Sequence, residues 1–228
     1  MPIVRTYGQH CPLAKTLDLV GDRWSLLIVR ELMIHGPSRY TDLRNGLPGI
    51  ASNLLADRLR ELEQAGVVKR EEAPPPIATA LFRLTPRGEG LRDVVKAMAQ
   101  WGIPLLLHAL DQEGEEFHSR WLGSPVALYM KDMAPDRRPI TIQVLTGDEP
   151  MLIETIDGVV RARPGQDEHA DAVLSGLPRP VIALITGRID LAEAKASGVE
   201  YTGDPDALRR VQPGAVTPPA GVESRVNP

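Results

Sequence analysis

The chain has 228 residues, 43% of them hydrophobic and 25% charged, with a formal net charge of −4. This is the composition of a folded chain of one or two domains, and it excludes disordered and fibrous classes. No apolar stretch approaches the roughly 18 residues of a membrane span, "MPIVRTYGQH" lacks a signal-peptide layout, and a lone cysteine, Cys11, excludes an internal disulfide framework.

A cytoplasmic location with no membrane partner is expected on those grounds. "CPLAKTLDLVGDRWSLLIVRELMIHG" reads as two helices broken near Gly21. Leu13, Leu17 and Val20 give the first an apolar stripe; Leu26, Leu27, Val29, Leu32 and Met33 do so for the second, which Gly36-Pro37 stops. "SRYTDLRNGLPG" follows as a short helix, Ser38–Arg44, with Ser38 as N-cap and turn signals around Gly46 and Pro48-Gly49. A longer helix runs from about Ala51 to Ala65. Leu55, Leu59 and Leu62 line its apolar face, while Ser52, Asn53, Ala56 and Arg60 share another. "VVKREE" and "TALFRLT" read as short strands, and the prolines of "APPPIA" make the segment between them a stiffened loop. Thr85-Pro86 then opens a long helical run with Leu91, Val94, Val95, Met98 and Trp101 along one side.

Four helices, a hairpin and a closing helix form the order of a winged helix-turn-helix. "CPLAKTLDLVGDRWSLLIVREL", "RYTDLRNGLPGIASNLLADRLRELEQAGVVKR" and "LTPRGEGL" resemble an HxlR-type transcriptional regulator of the MarR-like superfamily, over roughly Cys11 to Leu106. The resemblance implies a homodimer on a double-stranded DNA operator. Its N-terminal and long C-terminal helices intertwine, and two recognition helices enter successive major grooves. Helix-turn-helix proteins present the N-terminal part of the second helix to base edges, while the preceding helix crosses the backbone. Asn53 is thereby matched to adenine, Ser52 to a base or phosphate, and Ala56 to a thymine methyl. Arg39 and Arg60 suit phosphates, as do Lys69 and Arg70 beside the wing. The competing reading is a solvated helix on which Arg58 or Arg60 pairs with Asp57, Glu61 or Glu63.

The wing departs from the family's pattern, because "EEAPPPIATA" offers no cation at its tip. Glu71 and Glu72 repel phosphate, and Arg83 on the return strand compensates only in part. Cys11 lies at a helix N-terminus near His10, where some relatives sense oxidants or electrophiles through a thiol of lowered pKa. An idle thiol is the alternative. Without a second cysteine, any disulfide would join subunits or capture a small thiol.

The first 110 residues hold 14 Lys and Arg against 11 Asp and Glu; residues 111–228 hold 12 against 19. This asymmetry suggests a DNA-facing module at 1–110 and a second, acidic module at 111–213, with the tail 214–228 expected to be disordered. In the second module "SPVALYM", "PITIQVLT" and "PMLIETI" read as strands, and Asp157-Gly158 is a hairpin turn into "VVRARP". "DEHADAVLSG", "RPVIALITG" and "LAEAKASG" read as helices, followed by a strand at Val199–Tyr201 and a helix in "DPDALRRVQ". The pattern in "ADAVLSGLPRPVIALITGRIDLAEAKASGVEYTGDPDALRRV" resembles a sterol-carrier-protein-like domain over about Trp121 to Val211. That resemblance implies a sheet packed on helices around an apolar tunnel for a hydrophobic effector. Val126, Leu128, Met130, Ile142, Val144, Leu152 and Leu184 are its candidate lining, with Trp121 and Tyr129 as walls. Ordinary filled core is the alternative.

The expected class is α+β, a winged helix-turn-helix followed by a sterol-carrier-protein-like domain. Enzymatic chemistry is not indicated. His10, His35, His108, His118 and His169 lack ligand spacing, and there is no cysteine cluster, phosphate loop or nucleophile elbow. Neither a cofactor nor a metal is expected. The sequence points to a DNA-binding regulator. Two alternatives stay open: a hydrophobic-ligand carrier whose winged helix serves dimerisation, and a redox regulator using Cys11.

Overall fold

The computed structural model describes residues 6–72, 79–109 and 117–213. The segments expected to form the proline-rich loop and the disordered tail lie outside the described residues. The chain divides into two compact units, Met1–Met98 and Ala99–Pro228, so the division falls inside a helix and ahead of residue 110. Both helices and sheets are present, an α+β composition with a winged helix-turn-helix in the first unit.

In the first unit, α1 (Pro12–Val20) and α2 (Ser25–His35) flank Asp22. Its carboxylate accepts the backbone N–H groups of Trp24 at 2.8 Å and Ser25 at 3.1 Å, satisfying donors that open α2. β1 (Ser38–Arg39), α3 (Tyr40–Gly46) and α4 (Ser52–Gln64) follow. β2 (Val68–Glu72) pairs antiparallel with β3 (Ala80–Leu84), and β1 adds on the other side of β3. α5 (Pro86–Glu89) and α6 (Arg92–Ala109) complete the helices, α6 running past the division. The core joins Ile28, Val29 and Leu32 to Leu43, Leu47, Leu55, Leu59, Leu62, Val67 and Leu84.

Three expectations change here. Ser38 is a strand residue whose hydroxyl bonds the Gly36 carbonyl; α3 instead opens at Tyr40, with the Asp42 carboxylate accepting the Arg39 N–H at 3.1 Å. The stripe on α1 is buried only at Val20, since Leu13 is 67% and Leu17 39% exposed while Ala14 is buried in their place. On α6, Val95 is buried but Val94, Met98, Trp101 and Leu105 are exposed, and α5 is a separate turn rather than the start of that helix.

The second unit holds a five-stranded sheet in the order β7-β6-β5-β8-β9. Its strands are β5 (Thr141–Leu145), β6 (Met151–Ile156), β7 (Val159–Pro164), β8 (Ala172–Ser175) and β9 (Glu200–Gly203). Only β5 and β8 are parallel; the β6–β7 turn has Asp157 at φ 50 and Gly158 at φ 75, the left-handed pair of a tight hairpin. Alternate residues Ile142, Val144, Met151, Ile153, Val160, Ala172 and Leu174 share one face with the core helices. These are α7 (Gly123–Tyr129), α8 (Pro178–Ile185), α9 (Leu191–Ala196) and α10 (Pro205–Arg210), with a 3-10 turn at Ser119–Leu122. β4 (Met130–Asp132) and β10 (Val211–Pro213) form a separate pair.

Two segments take the opposite form from that expected. "SPVALYM" is largely α7: it is buried on nearly every side, which erases the periodicity that separates helix from strand, and Pro125 sits in the first turn where no N–H is needed. "AVLS" is the strand β8 rather than helix, held by β5 on one side and β9 on the other. Pairing on both edges outweighs the weak local preference of four residues.

Candidate nucleic-acid interface

α4 is built to present one face. Leu55, Leu59 and Leu62 are each no more than 2% exposed and fix the helix to the core. At a period of 3.6 residues this leaves Ser52, Asn53, Asp57 and Arg60 in solvent, with Ala56 half-buried between them. The link from α3 is short and anchored by buried Leu47 and Ile50, and Gly49 supplies a φ of 84 that L side chains rarely adopt. The Tyr40 hydroxyl at the start of α3 donates to the Ser52 carbonyl at 2.5 Å, tying the openings of both helices together.

The electrostatics of the face are uneven. Arg60 donates to Asp57 at 2.9 Å, one turn back. Arg58 lies 3.7 Å from Asp22 and pairs also with Glu61, so it braces α4 against the start of α2. Of the wing cations, Lys69 bonds Glu71, Arg83 lies 3.2 Å from the same carboxylate, and Arg70 lies 3.4 Å from Glu72. The Lys69 hydrogen bond in particular holds the Glu71 carboxyl below its ordinary pKa. Arg39 and Arg44 differ: both are exposed, and no ion pair involves either among the described residues. Arg44 was not among the expected contacts. Its signal was present, an arginine five residues from Arg39 on the helix preceding the recognition helix, but sequence alone gave no means of telling a paired cation from an unpaired one.

The structure therefore places Ser52, Asn53, Ala56 and Arg60 on α4, Arg39 at the end of β1 as the N-cap of α3, and Lys69, Arg70 and Arg83 on the hairpin. Cys11 is exposed ahead of α1.

The residues expected to line a tunnel belong to the second unit. Val126, Leu128, Tyr129, Met130, Ile142, Val144, Leu152 and Leu184 are buried among packed side chains, and Trp121 stacks edge-on against Phe117 and His118. Two surface concavities of about 540 and about 440 Å³ lie in this unit, and none of the nine residues lines either. The first, beside Thr146, Asp148 and Leu177, and the second, beside Arg137, Arg138 and Arg210, are both open and polar-edged. One core detail stands apart: the Tyr129 hydroxyl is buried without a hydrogen-bond partner among the described residues, and burial pushes its pKa up to about 12. No group of His, Cys, Asp and Glu among the described residues is arranged to hold a metal, and no described helix is long and apolar enough to cross a membrane.

Comparison with known proteins bears on the first unit. The HxlR-like helix-turn-helix family matches residues 19–108. The HTH-type transcriptional regulator YodB of Bacillus subtilis (strain 168) is 36% identical over 92 residues, which is 40% of this chain and 81% of that protein. The uncharacterized HTH-type transcriptional regulator YtfH of Escherichia coli (strain K12) is 33% identical over 109 residues, 46% of this chain and 86% of its own length. The solved reduced form of YodB is 33% identical over 41% of this chain and 92% of that one, with a TM-score of 0.37.

Proposed function

This chain belongs to the HxlR-like helix-turn-helix family, and from that premise we propose that it is a transcriptional regulator binding a pseudo-palindromic operator as a homodimer. The observation that carries the reading is the exposed Ser52–Asn53–Arg60 face of α4, set on a buried leucine stripe, together with Arg39 at the N-cap of α3 and Arg44 on α3, neither in an ion pair among the described residues. Asn53 has the donor and acceptor that match adenine in the major groove, and arginines on the preceding helix reach phosphates. The exposed stripe Val94, Met98, Trp101 and Leu105, spaced one turn apart along α6, supports a second copy of the chain as partner. Half-sites then lie about one helical turn apart.

The test compares Asn53→Ala and Arg39→Ala by fluorescence anisotropy, on the chain's own promoter and on a scrambled duplex across several salt concentrations. Loss of Asn53 lowers promoter affinity selectively, by about 1–3 kcal/mol for a bidentate base contact. Loss of Arg39 weakens both duplexes and flattens the salt slope by about 0.9. Equal losses on both duplexes for Asn53→Ala remove the base-reading assignment.

The second unit we read as a sterol-carrier-protein-like domain that takes a hydrophobic effector. The observation favouring this is Tyr129, whose buried hydroxyl lacks a partner among the described residues. An unsatisfied buried donor costs about 1–3 kcal/mol, which a ligand acceptor would relieve. Tyr129 and its neighbours are buried and line neither surface concavity, so admission of such a molecule requires side chains there to repack, and that repacking is the step through which it would bias DNA binding.

A further inference from the structure

The cations of the wing are not free to meet DNA. Lys69 and Arg83 stand directly across from each other on β2 and β3, a like-charge pair that would repel on its own. Glu71, two residues along β2 on the same face, holds both: Lys69 by a short hydrogen bond and Arg83 at 3.2 Å. On the opposite face Arg70 is matched to Glu72. The hairpin thus carries three cations and two carboxylates, with each cation engaged, whereas Arg39 at the N-cap of α3 and Arg44 on α3 form no ion pair among the described residues.

Resting on the regulator reading above, we propose that Glu71 is a specificity-determining residue that holds Lys69 and Arg83 back from the phosphate backbone. Phosphate contacts raise affinity on every sequence alike, because they carry no base information. A hairpin whose cations are occupied adds little to non-specific binding, so discrimination rests with α4. The same carboxylate also relieves the repulsion between Lys69 and Arg83, and a purely structural role would show in hairpin stability without changing the salt dependence of DNA binding.

The experiment uses the full chain and three variants, Glu71→Gln, Glu72→Gln and Glu63→Gln, on promoter and scrambled duplexes at 50–200 mM salt. Glu63 is exposed on α4 and holds no cation among the described residues, so its variant removes the same charge but releases none. Each phosphate newly contacted steepens the slope of log affinity against log salt by about 0.9. Glu71→Gln frees two cations and is expected to steepen it by about 1.8 on both duplexes, tighten scrambled DNA more than promoter in ratio, and so lower specificity. Glu72→Gln frees one and is expected to give about half of that change. An unchanged slope for Glu71→Gln, or an equal change for Glu63→Gln, overturns the inference while leaving the regulator reading intact. A wild-type chain that binds neither duplex at the lowest salt overturns both.

Discussion

Replacing Gly88 with alanine sets two effects against each other, and the structure decides their sign. Gly88 is buried in α5, where a β-carbon would lie 2.1 Å from the Val67 carbonyl oxygen at the root of β2. That is more than 1 Å inside van der Waals contact, and the obstacle is backbone rather than a side chain able to turn aside. α5 must therefore withdraw, and Thr85 withdraws with it. The Thr85 N–H donates to that same carbonyl at 3.0 Å, and its hydroxyl donates to the Gly66 carbonyl at 2.6 Å while accepting the Gly88 N–H at 3.1 Å. Two hydrogen bonds at about 1 kcal/mol each and a helix cap of about 1 kcal/mol are lost. Intrinsic helix preference returns about 1 kcal/mol, because alanine replaces glycine. The balance is a destabilisation of about 2 kcal/mol, a fall in Tm on the order of 10 °C for a unit of this size. Scanning calorimetry measures it, and hydrogen exchange localises the loss to β2, β3 and α5. An unchanged or raised Tm, as helix preference alone predicts, would show that the close approach to Val67 carries no energetic weight.

Arg210→Met should destabilise the second unit by about 3–5 kcal/mol in urea unfolding, because Asp132, with a side chain only 1% exposed, is left without the arginine that bonds it at 2.8 and 2.9 Å. Adding Asp132→Leu to that variant should recover most of the loss, and no recovery would mean the pair is not the cause. Hydrogen bonds from Arg210 to Asp132 and from His118 to Asp148 hold both carboxyl groups below their ordinary pKa. Their stabilisation is complete above the unfolded value near 3.9 and disappears as pH falls through the lower folded values. Thermal unfolding of this unit should therefore weaken below about pH 4, and carboxylate-driven weakening between pH 7 and 5 would contradict the assignment. Trp101→Glu, placed in the exposed stripe of α6, should convert the proposed dimer to monomer in light scattering; an unchanged mass would exclude that stripe as the contact between copies.

Where one face of an element is buried and the other wet, the sequence was a sufficient guide. α4 is the clearest case: the spacing of Leu55, Leu59 and Leu62 both locates the helix and exposes Asn53 and Ser52 by subtraction. The same logic failed wherever burial has no side. On α7, Pro125, Val126, Leu128 and Tyr129 are all buried and only Ala127 among them is exposed, leaving too little periodicity to read. β8 is four residues long and owes its form to β5 and β9, strands distant in sequence on either side of it. Apolar spacing also misled on α1 and α6, where Leu17, Met98 and Trp101 keep a helical stripe that stays exposed within the single chain. An exposed stripe of this kind is the feature on which the dimer proposal rests.

Charge was the least legible property of the candidate site. Composition assigns the first 110 residues a surplus of three positive charges, too small to mark a DNA-binding surface by itself. Counting treats Arg60, Lys69, Arg70 and Arg83 as equal to Arg39 and Arg44, yet the first four have carboxylate partners and the last two have none among the described residues. Exposed ion pairs of this kind are worth little to stability, about 0–1 kcal/mol. Their larger effect is on binding, because a cation must first give up its carboxylate before it can displace a counterion from DNA. The salt slope of the wild-type chain thus measures the unpaired cations rather than the net charge, and it should be set by Arg39 and Arg44 more than by the wing.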